Sequence, residues 1–527
     1  MSVRVWFSVL GLLAGLCCSF VGLAEGGKVL VIPVDGSHWL SMKILVKEMT
    51  QRGHDLVVLV PETSLLMNGS EGYTTQVYKV PYNKTQLDSS FKQLQDNVID
   101  LEPSFSNLLF NVQLLVNFTS FQEKGCRSLL SQQPLLTRLR DQAFDAVLTD
   151  PFLPCGSILS RILGIPAVYF SRGLPCEIDM KANHCPVPLS YVPKFYSGNT
   201  NVMTFPQRVK NNIMALVESY LCSVMYAKFD KLVSEYVEEG MTYKTLLGHG
   251  AIWLLRFDFV IEWPRPVMPN MVLIGGINCE KEHPLPADLE EFVEGSGQHG
   301  FIVFTLGSMV SNMPEEKAQQ FLNAFRQIPQ RVFWRYTGAE LKNVPKNVKL
   351  MKWLPQNDLL AHPKAKAFIT HGGSHSIYEA ICNAVPMLMF PLFGDQGDNV
   401  LRMEVRGVAE SLRMYDVTTD KVLVALDRII NNRSYKEKML KLSAIHLDRP
   451  VPPLDLAVFW TEFVMTHKGA SHLRVAAHDL NWFQYHSLDV IGFLLFVVGA
   501  ALCVILKCCL FCTRKCCTKG TVKRKSE

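Results

Sequence analysis

The chain contains no Asp-x-Asp triplet, and residues 25–506 contain no Cys-x-x-Cys pair and no surplus of basic charge. The first absence removes one compact acidic anchor for a divalent cation. The second argues against a zinc site, since structural zinc is commonly held by closely spaced cysteines. Charged residues make up only 19% of the chain, and its formal charge is +5. Six of those positive charges belong to residues 507–527 and one to the first 24, which leaves −2 for residues 25–506. No nucleic-acid surface is expected on that body. Of fifteen cysteines, seven fall in residues 25–487: Cys126, Cys155, Cys176, Cys185, Cys222, Cys279 and Cys382. An odd number leaves at least one thiol free or paired between chains. Cys176 and Cys185 are close enough to be a candidate loop disulfide, although spacing does not fix connectivity.

Long apolar runs are confined to the two ends. Arg4, the run Val5 to Cys18 and the small residues around Gly22-Leu23-Ala24 read as a secretory signal peptide over 1–24. Val490 to Leu506 carries no charge and is bounded by Asp489 and Lys507. With Lys507 snorkelling, this predicts a single transmembrane helix over 488–507. Residues 508–527 then form a tail in which Lys and Arg far outnumber the single acid Glu527. The positive flank predicts a cytosolic tail and a lumenal body. Lys523 and Lys525 stand fifth and third from the end, a pattern that resembles a dilysine signal read by coat-protein retrieval machinery in the endoplasmic reticulum. Asn-x-Ser/Thr triplets at Asn68, Asn83, Asn117 and Asn432 are candidate glycosylation sites. The tail cysteines Cys508, Cys509, Cys512, Cys516 and Cys517 are open to palmitoylation or to remaining a solvated, reduced cluster.

Between the ends, apolar strands alternate with helical stretches, which implies parallel sheets of doubly wound type. Residues 25–275 form the first such half. It opens with Lys28 to Pro33, the loop Asp35-Gly36-Ser37-His38 and a helix from about Trp39 to Arg52, and it includes the strand Ala146 to Thr149 before Asp150. The proline-rich stretch Glu262 to Pro286 reads as a linker. Residues 285–445 repeat the pattern from Phe301 to Leu306 and the loop Gly307-Ser308, and residues 446–487 add further helices. The fold class expected is α/β, two facing Rossmann-like domains with a cleft between them and one C-terminal membrane helix.

The densest constellation of polar residues runs from Trp353 to Gln396. Trp353, Pro355 and Gln356 precede a buried-type strand, Ala367 to Thr370. That strand is broken by His371-Gly372-Gly373-Ser374, after which a helix is expected from Ser376 to Ala384. A helix opening from a glycine-rich turn offers unpaired N–H groups and a partial positive charge to a pyrophosphate. Glu379 lies a turn further on. Asp395 and Gln396 follow the next apolar strand, where open α/β sheets bind ligands.

This segment resembles the nucleotide-sugar signature of glycosyltransferases that place UDP-sugars on small lipophilic acceptors. Together with Asp35 to Ser41, Leu148 to Gly156 and Pro264 to Asn270, it makes the chain similar to the vertebrate UDP-glucuronosyltransferases, in particular the bilirubin- and phenol-conjugating family. One departure is Ser376, where many of these enzymes carry glycine. The resemblance implies the two-domain glycosyltransferase fold known as GT-B. It also implies that Trp353 stacks on uracil and Gln356 contacts the uridine. His371, Gly373, Ser374 and Ser376, with Ser308, would surround the phosphates, Glu379 the ribose, and Asp395 and Gln396 the sugar. His38 would be the general base and Asp150 its partner, while Arg256, with His375 as the weaker alternative, would meet the sugar carboxylate. UDP-glucuronate is then a co-substrate, with no cofactor and no metal. The remaining partners implied are phenols, steroids or bilirubin-like acceptors, a lipid bilayer and a like or related chain in an oligomer. Two rival readings are a transferase using UDP-glucose or UDP-galactose, and an inactive membrane-anchored binding protein of the same fold.

Overall fold

The computed structural model describes residues 26–64, 66–67, 72–89, 105–279 and 282–517. The signal peptide, Asn68, Lys523 and Lys525 lie outside the described residues. The first sheet has seven strands: β1 (Lys28–Ile32), β2 (Asp55–Pro61), β3 (Thr74–Tyr78), β4 (Ala146–Thr149), β5 (Ala167–Ser171), β6 (Ile252–Leu255) and β7 (Met271–Leu273). Their order across it is β3-β2-β1-β4-β5-β6-β7. Every pairing is parallel, with Val31 opposite Val58 on one side and Leu148 on the other. Such a sheet is covered on both faces, so its strands read as unbroken apolar runs. β1 shows why: Leu30 and Ile32 enter one core, Val29 and Val31 the other.

The second sheet has six strands, β8 (Phe301–Phe304), β9 (Arg331–Arg335), β10 (Val348–Met351), β11 (Ala365–Thr370), β12 (Met387–Met389) and β13 (Ala409–Ser411). Their order is β10-β9-β8-β11-β12-β13, again parallel throughout. The order reverses beside β8 and β11 here and beside β1 and β4 in the first sheet. A crevice opens at such switch points beyond the carboxyl ends of the strands.

Helices α1 (Ser37–Gln51), α2 (Pro154–Leu163), α3 (Gln356–Ala361), α4 (Ser374–Cys382), α5 (Gln396–Val405) and α6 (Arg433–Leu447) frame that crevice and the joint behind it. α7 (Pro453–His467) returns to the first half and buries Ala457, Val458, Val464 and Met465 against the core under β1 and β6. Each fully buried valine there contributes about 1.5–3 kcal/mol, so the chain's return ties the halves together.

Three sequence expectations change. The stretch Glu262 to Pro286 is not all linker. Met271 to Leu273 pairs with β6, because three apolar residues escape the flanking prolines and complete the sheet edge. Cys176 and Cys185 are not bridged. Cys176 pairs with Cys222, which faces it from the long helix Phe205–Tyr236, while Cys126 pairs with Cys155 and Cys279 with Cys382. Cys185 is free, points its thiol at the Pro266 carbonyl at 3.3 Å, and is pushed up to about 11 by burial. Finally α4 begins two residues earlier than expected, so that Ser374 is its first residue.

Residues 474–527 form a separate unit. Its helix α8 (Leu488–Cys517) has 30 residues, is long and apolar enough to cross a membrane and has no buried residue. At 1.5 Å per residue it spans about 45 Å, against about 30 Å of hydrocarbon, so the helix continues past the expected end at residue 507. Asn83, Asn117 and Asn432 are exposed.

Candidate active site

His38 sits in the first turn of α1, entered through Gly36 at φ 82°. Its Nδ1 lies 2.6 Å from Asp150 Oδ2, across 112 positions of sequence. Register explains the meeting, because β1 and β4 are neighbours and each places its next functional residue at the same sheet edge. Asp150 is 0% exposed, and its other oxygen accepts the Phe152 N–H at 3.0 Å. The carboxylate is thus fixed on both sides, and His38 lines a cavity of about 1240 Å³. Phe152, Leu174, Met180, Val192 and Phe195 give the first half's wall of that cavity an apolar character.

The opposite wall carries Ser308, Trp353, Gln356, His371, Gly373, Ser374, His375, Ser376, Glu379, Asp395 and Gln396, and Arg256 lines the cavity from the first half. The structure therefore gathers all twelve of these sequence-selected residues about one space. Their local contacts differ. Gln356, the first residue of α3, donates to Ser376 Oγ at 3.2 Å and to the Glu379 carboxylate, so α3 and α4 hold each other. Trp353 is 52% exposed, with the Arg335 guanidinium 5.1 Å from its ring centre. The His371 ring is cradled by glycines. A Cβ at Gly307 or at Gly373 would come within 2.5 Å of it, and Gly307 also holds φ 90°. Burial pushes the His371 pKa down to about 4, with His375 and Arg335 adding to the shift against Asp395, so the ring is neutral at physiological pH. Ser374 opens α4 behind Gly373, where helix N–H groups are free for an anion.

Asp395 and Gln396 follow β12 as expected, Asp395 at the N-cap of α5 and Gln396 its first residue, but with part of their capacity spent. Gln396 Oε1 accepts from the Leu392 and Phe393 N–H groups at 2.8 and 3.0 Å, and Asp395 accepts from Asn399 at 2.9 Å. Arg256 is only 5% exposed, and its Nη1 donates to Ser41 Oγ at 2.9 Å. That same Ser41 oxygen lies 2.9 Å from His375 Nδ1, so one hydroxyl joins the first half's arginine to the second half's histidine.

Sequence reasoning missed several of the site's residues. Arg172, just after β5, lines the cavity with its Nε 3.9 Å from Asp395 Oδ2. It also lies 3.6 Å from Glu262, which Arg402 approaches to 2.8 Å. Burial would raise the Glu262 pKa, but Arg402 and Arg172 overcome it and hold it down to about 2. Arg172 follows a fully buried strand just as Asp150 does, and the apolar run Ala167 to Phe170 is a signal that could have found it. Ser41 and Arg335 carry no such mark.

The chain matches, over residues 27–524, the family described as "UDP-glucoronosyl and UDP-glucosyl transferase". A UDP-glucuronosyltransferase of Pleuronectes platessa is 62% identical over 472 residues, covering 89% of this chain and 100% of its own. The chain belongs to this family. UDP-glucuronosyltransferase 1A1 of Rattus norvegicus is 51% identical across 97% of this chain and 96% of its own, and that of Homo sapiens 48% across 98% and 97%. Among solved structures, the calicheamicin glycosyltransferase CalG4 aligns with a TM-score of 0.57 at 17% identity, over 84% of this chain and 99% of its own. Os79 from O. sativa, in complex with U2F and trichothecene, gives 0.57 at 14%, over 84% and 100%. These likenesses establish the two-domain glycosyltransferase fold for the family member described here.

Proposed function

We propose that the chain transfers glucuronate from UDP-glucuronate to lipophilic hydroxyl or carboxyl acceptors, with His38 as general base and Asp150 orienting it. The carrying observation is that His38, paired with the buried Asp150, lines the same cavity that displays the donor signature. A hydroxyl is a poor nucleophile at neutral pH. His38 takes its proton as the oxygen attacks the anomeric carbon, and the bond from that carbon to the UDP oxygen breaks. Asp150 keeps the imidazole in the proton-accepting tautomer and stabilises the imidazolium. A single displacement inverts configuration, so an α-linked donor gives a β-glucuronide. The departing diphosphate meets the N-terminus of α4 and the neutral His371 ring, donors that are in place before the charge develops. The apolar wall around Phe152 and Phe195 suits lipophilic acceptors.

A second donor, UDP-glucose, is favoured by one observation: Nη1 of Arg256 is already engaged by Ser41. Membranes bearing the chain, incubated with UDP-glucuronate, UDP-glucose and UDP-galactose and a panel of phenols, separate these readings. Product from UDP-glucuronate alone supports the proposal, and no product from any donor favours an inactive binding protein. We further propose that α8 anchors the chain in the endoplasmic reticulum with its body lumenal and its dilysine tail cytosolic. Protease added to sealed microsomes should then remove only the tail.

A further inference from the structure

Behind the cavity, side chains from four separated segments meet at the joint of the two halves. Asp258 follows β6, Cys279 lies in the connection, Cys382 closes α4, and His446 stands near the end of α6. The His446 ring is 2% exposed; its Nδ1 lies 2.9 Å from Asp258 Oδ2, and its Nε2 3.8 Å from Cys279 Sγ. Cys279 and Cys382 are bridged. Their sulfurs and a ring nitrogen of His446 all lie within 4.8 Å of one another. Spacing along the chain could not show this, because 103 residues separate the cysteines.

Two sulfurs and an imidazole nitrogen are a donor set for a soft divalent cation, and the carboxylate on the far ring nitrogen is the usual support that fixes a ligating histidine. The rest of Asp258 is also satisfied. Its Oδ1 accepts from the Tyr378 hydroxyl at 3.0 Å, and its Oδ2 accepts from Arg449. Arg449 lies against the His446 ring as well, and its charge is matched by Asp258, so the two thiolates remain to balance a dication.

We propose that this cluster is a redox-gated binding site for zinc or a similar soft cation. A dithiol reductant supplies two electrons and two protons, is itself oxidised to its disulfide, and opens Cys279–Cys382 to two thiols. Metal binding then releases those two protons and forms two sulfur–metal bonds and one to His446 Nε2, with the fourth tetrahedral position left for water. Since α4 carries Ser374, Ser376 and Glu379 along the same helix as Cys382, the state of this cluster fixes how that helix is tied to the connection.

The test uses the full-length chain in detergent, with Cys508, Cys509, Cys512, Cys516 and Cys517 each replaced by Ser, and Co²⁺ as the probe. After reduction, the proposal expects one Co²⁺ per chain with the intense visible bands of tetrahedral thiolate coordination, and no bands from oxidised protein. Cys382→Ser should abolish them, and His446→Gln should weaken binding by at least about 10-fold. Calorimetric UDP binding confirms that each variant is folded. Where a variant is not, alkylation of the reduced parent chain decides: Zn²⁺ should slow alkylation of Cys279 and Cys382 relative to the same reduced chain without metal. Bands that survive Cys382→Ser, no bands at all in reduced protein, or alkylation of Cys279 and Cys382 that Zn²⁺ leaves unchanged would overturn the proposal.

Discussion

The imidazole of His38 and the carboxylate of Asp150 are held 2.6 Å apart by two neighbouring parallel strands, with the carboxylate sealed from solvent and the ring facing the cavity. Replacing Asp150 with Asn keeps the shape but offers the ring a donor amide, which favours the wrong tautomer. Asp150→Asn should therefore lower kcat by about 10²–10⁴-fold while KM for the donor changes little. Steady-state kinetics with varied UDP-glucuronate would check this.

Donor choice turns on a cation near the sugar's sixth carbon. A charge-assisted pair in a closed site contributes about 1.5–3 kcal/mol, or roughly 10- to 150-fold in preference. Arg256→Ala should reduce use of UDP-glucuronate by that factor and leave any use of UDP-glucose nearly unchanged. Arg172, 3.9 Å from Asp395, is the competing cation. If Arg172→Ala gives the selective loss and Arg256→Ala an equal loss with both donors, the carboxylate belongs to Arg172, and Arg256 serves to hold Ser41.

Glu262 binds Arg402 and Arg172 across the joint between the halves. Glu262→Gln keeps the volume but removes the carboxylate that the half-buried Arg402 and Arg172 side chains share, which should cost about 3 kcal/mol, read as a lower urea midpoint. The sign with pH follows from its pKa of about 2, held below the ordinary carboxylate value of 4.5. Its contribution is complete above the ordinary value and is lost as pH falls toward about 2. The variant should therefore lose less stability than the parent over that window.

His371 behaves oppositely to a paired histidine. Its pKa of about 4 lies below the ordinary 6.5, so between those values the unfolded chain binds a proton that the native chain refuses. Stability should fall as pH drops from 6.5 toward 4, and His371→Asn should flatten that fall in urea titrations without nucleotide.

Much of this site was legible because its residues obey rules that are local in sequence. His38, Asp150 and Asp395 each follow an apolar run, and parallel sheets bring the carboxyl ends of such runs together. The glycines around His371 announce a turn into a helix, and the turn is there. What was not legible depends on tertiary neighbours. Cys176 meets Cys222 only because a 32-residue helix passes beside it. Met271 to Leu273 becomes a strand only because β6 offers an open edge. The attachment of Arg256 to Ser41 links residues 215 positions apart. Spacing along the chain carries no trace of these contacts.

The most direct measurement is of turnover and product configuration for the full-length chain and its His38→Ala variant, incubated in parallel with UDP-glucuronate and a phenol, with product followed by NMR and UDP binding by calorimetry. The account predicts a β-glucuronide from the parent, and turnover reduced by about 10²–10⁴-fold in the variant with UDP affinity essentially unchanged. Near-parental turnover by His38→Ala, or an α-configured product from the parent, would contradict it.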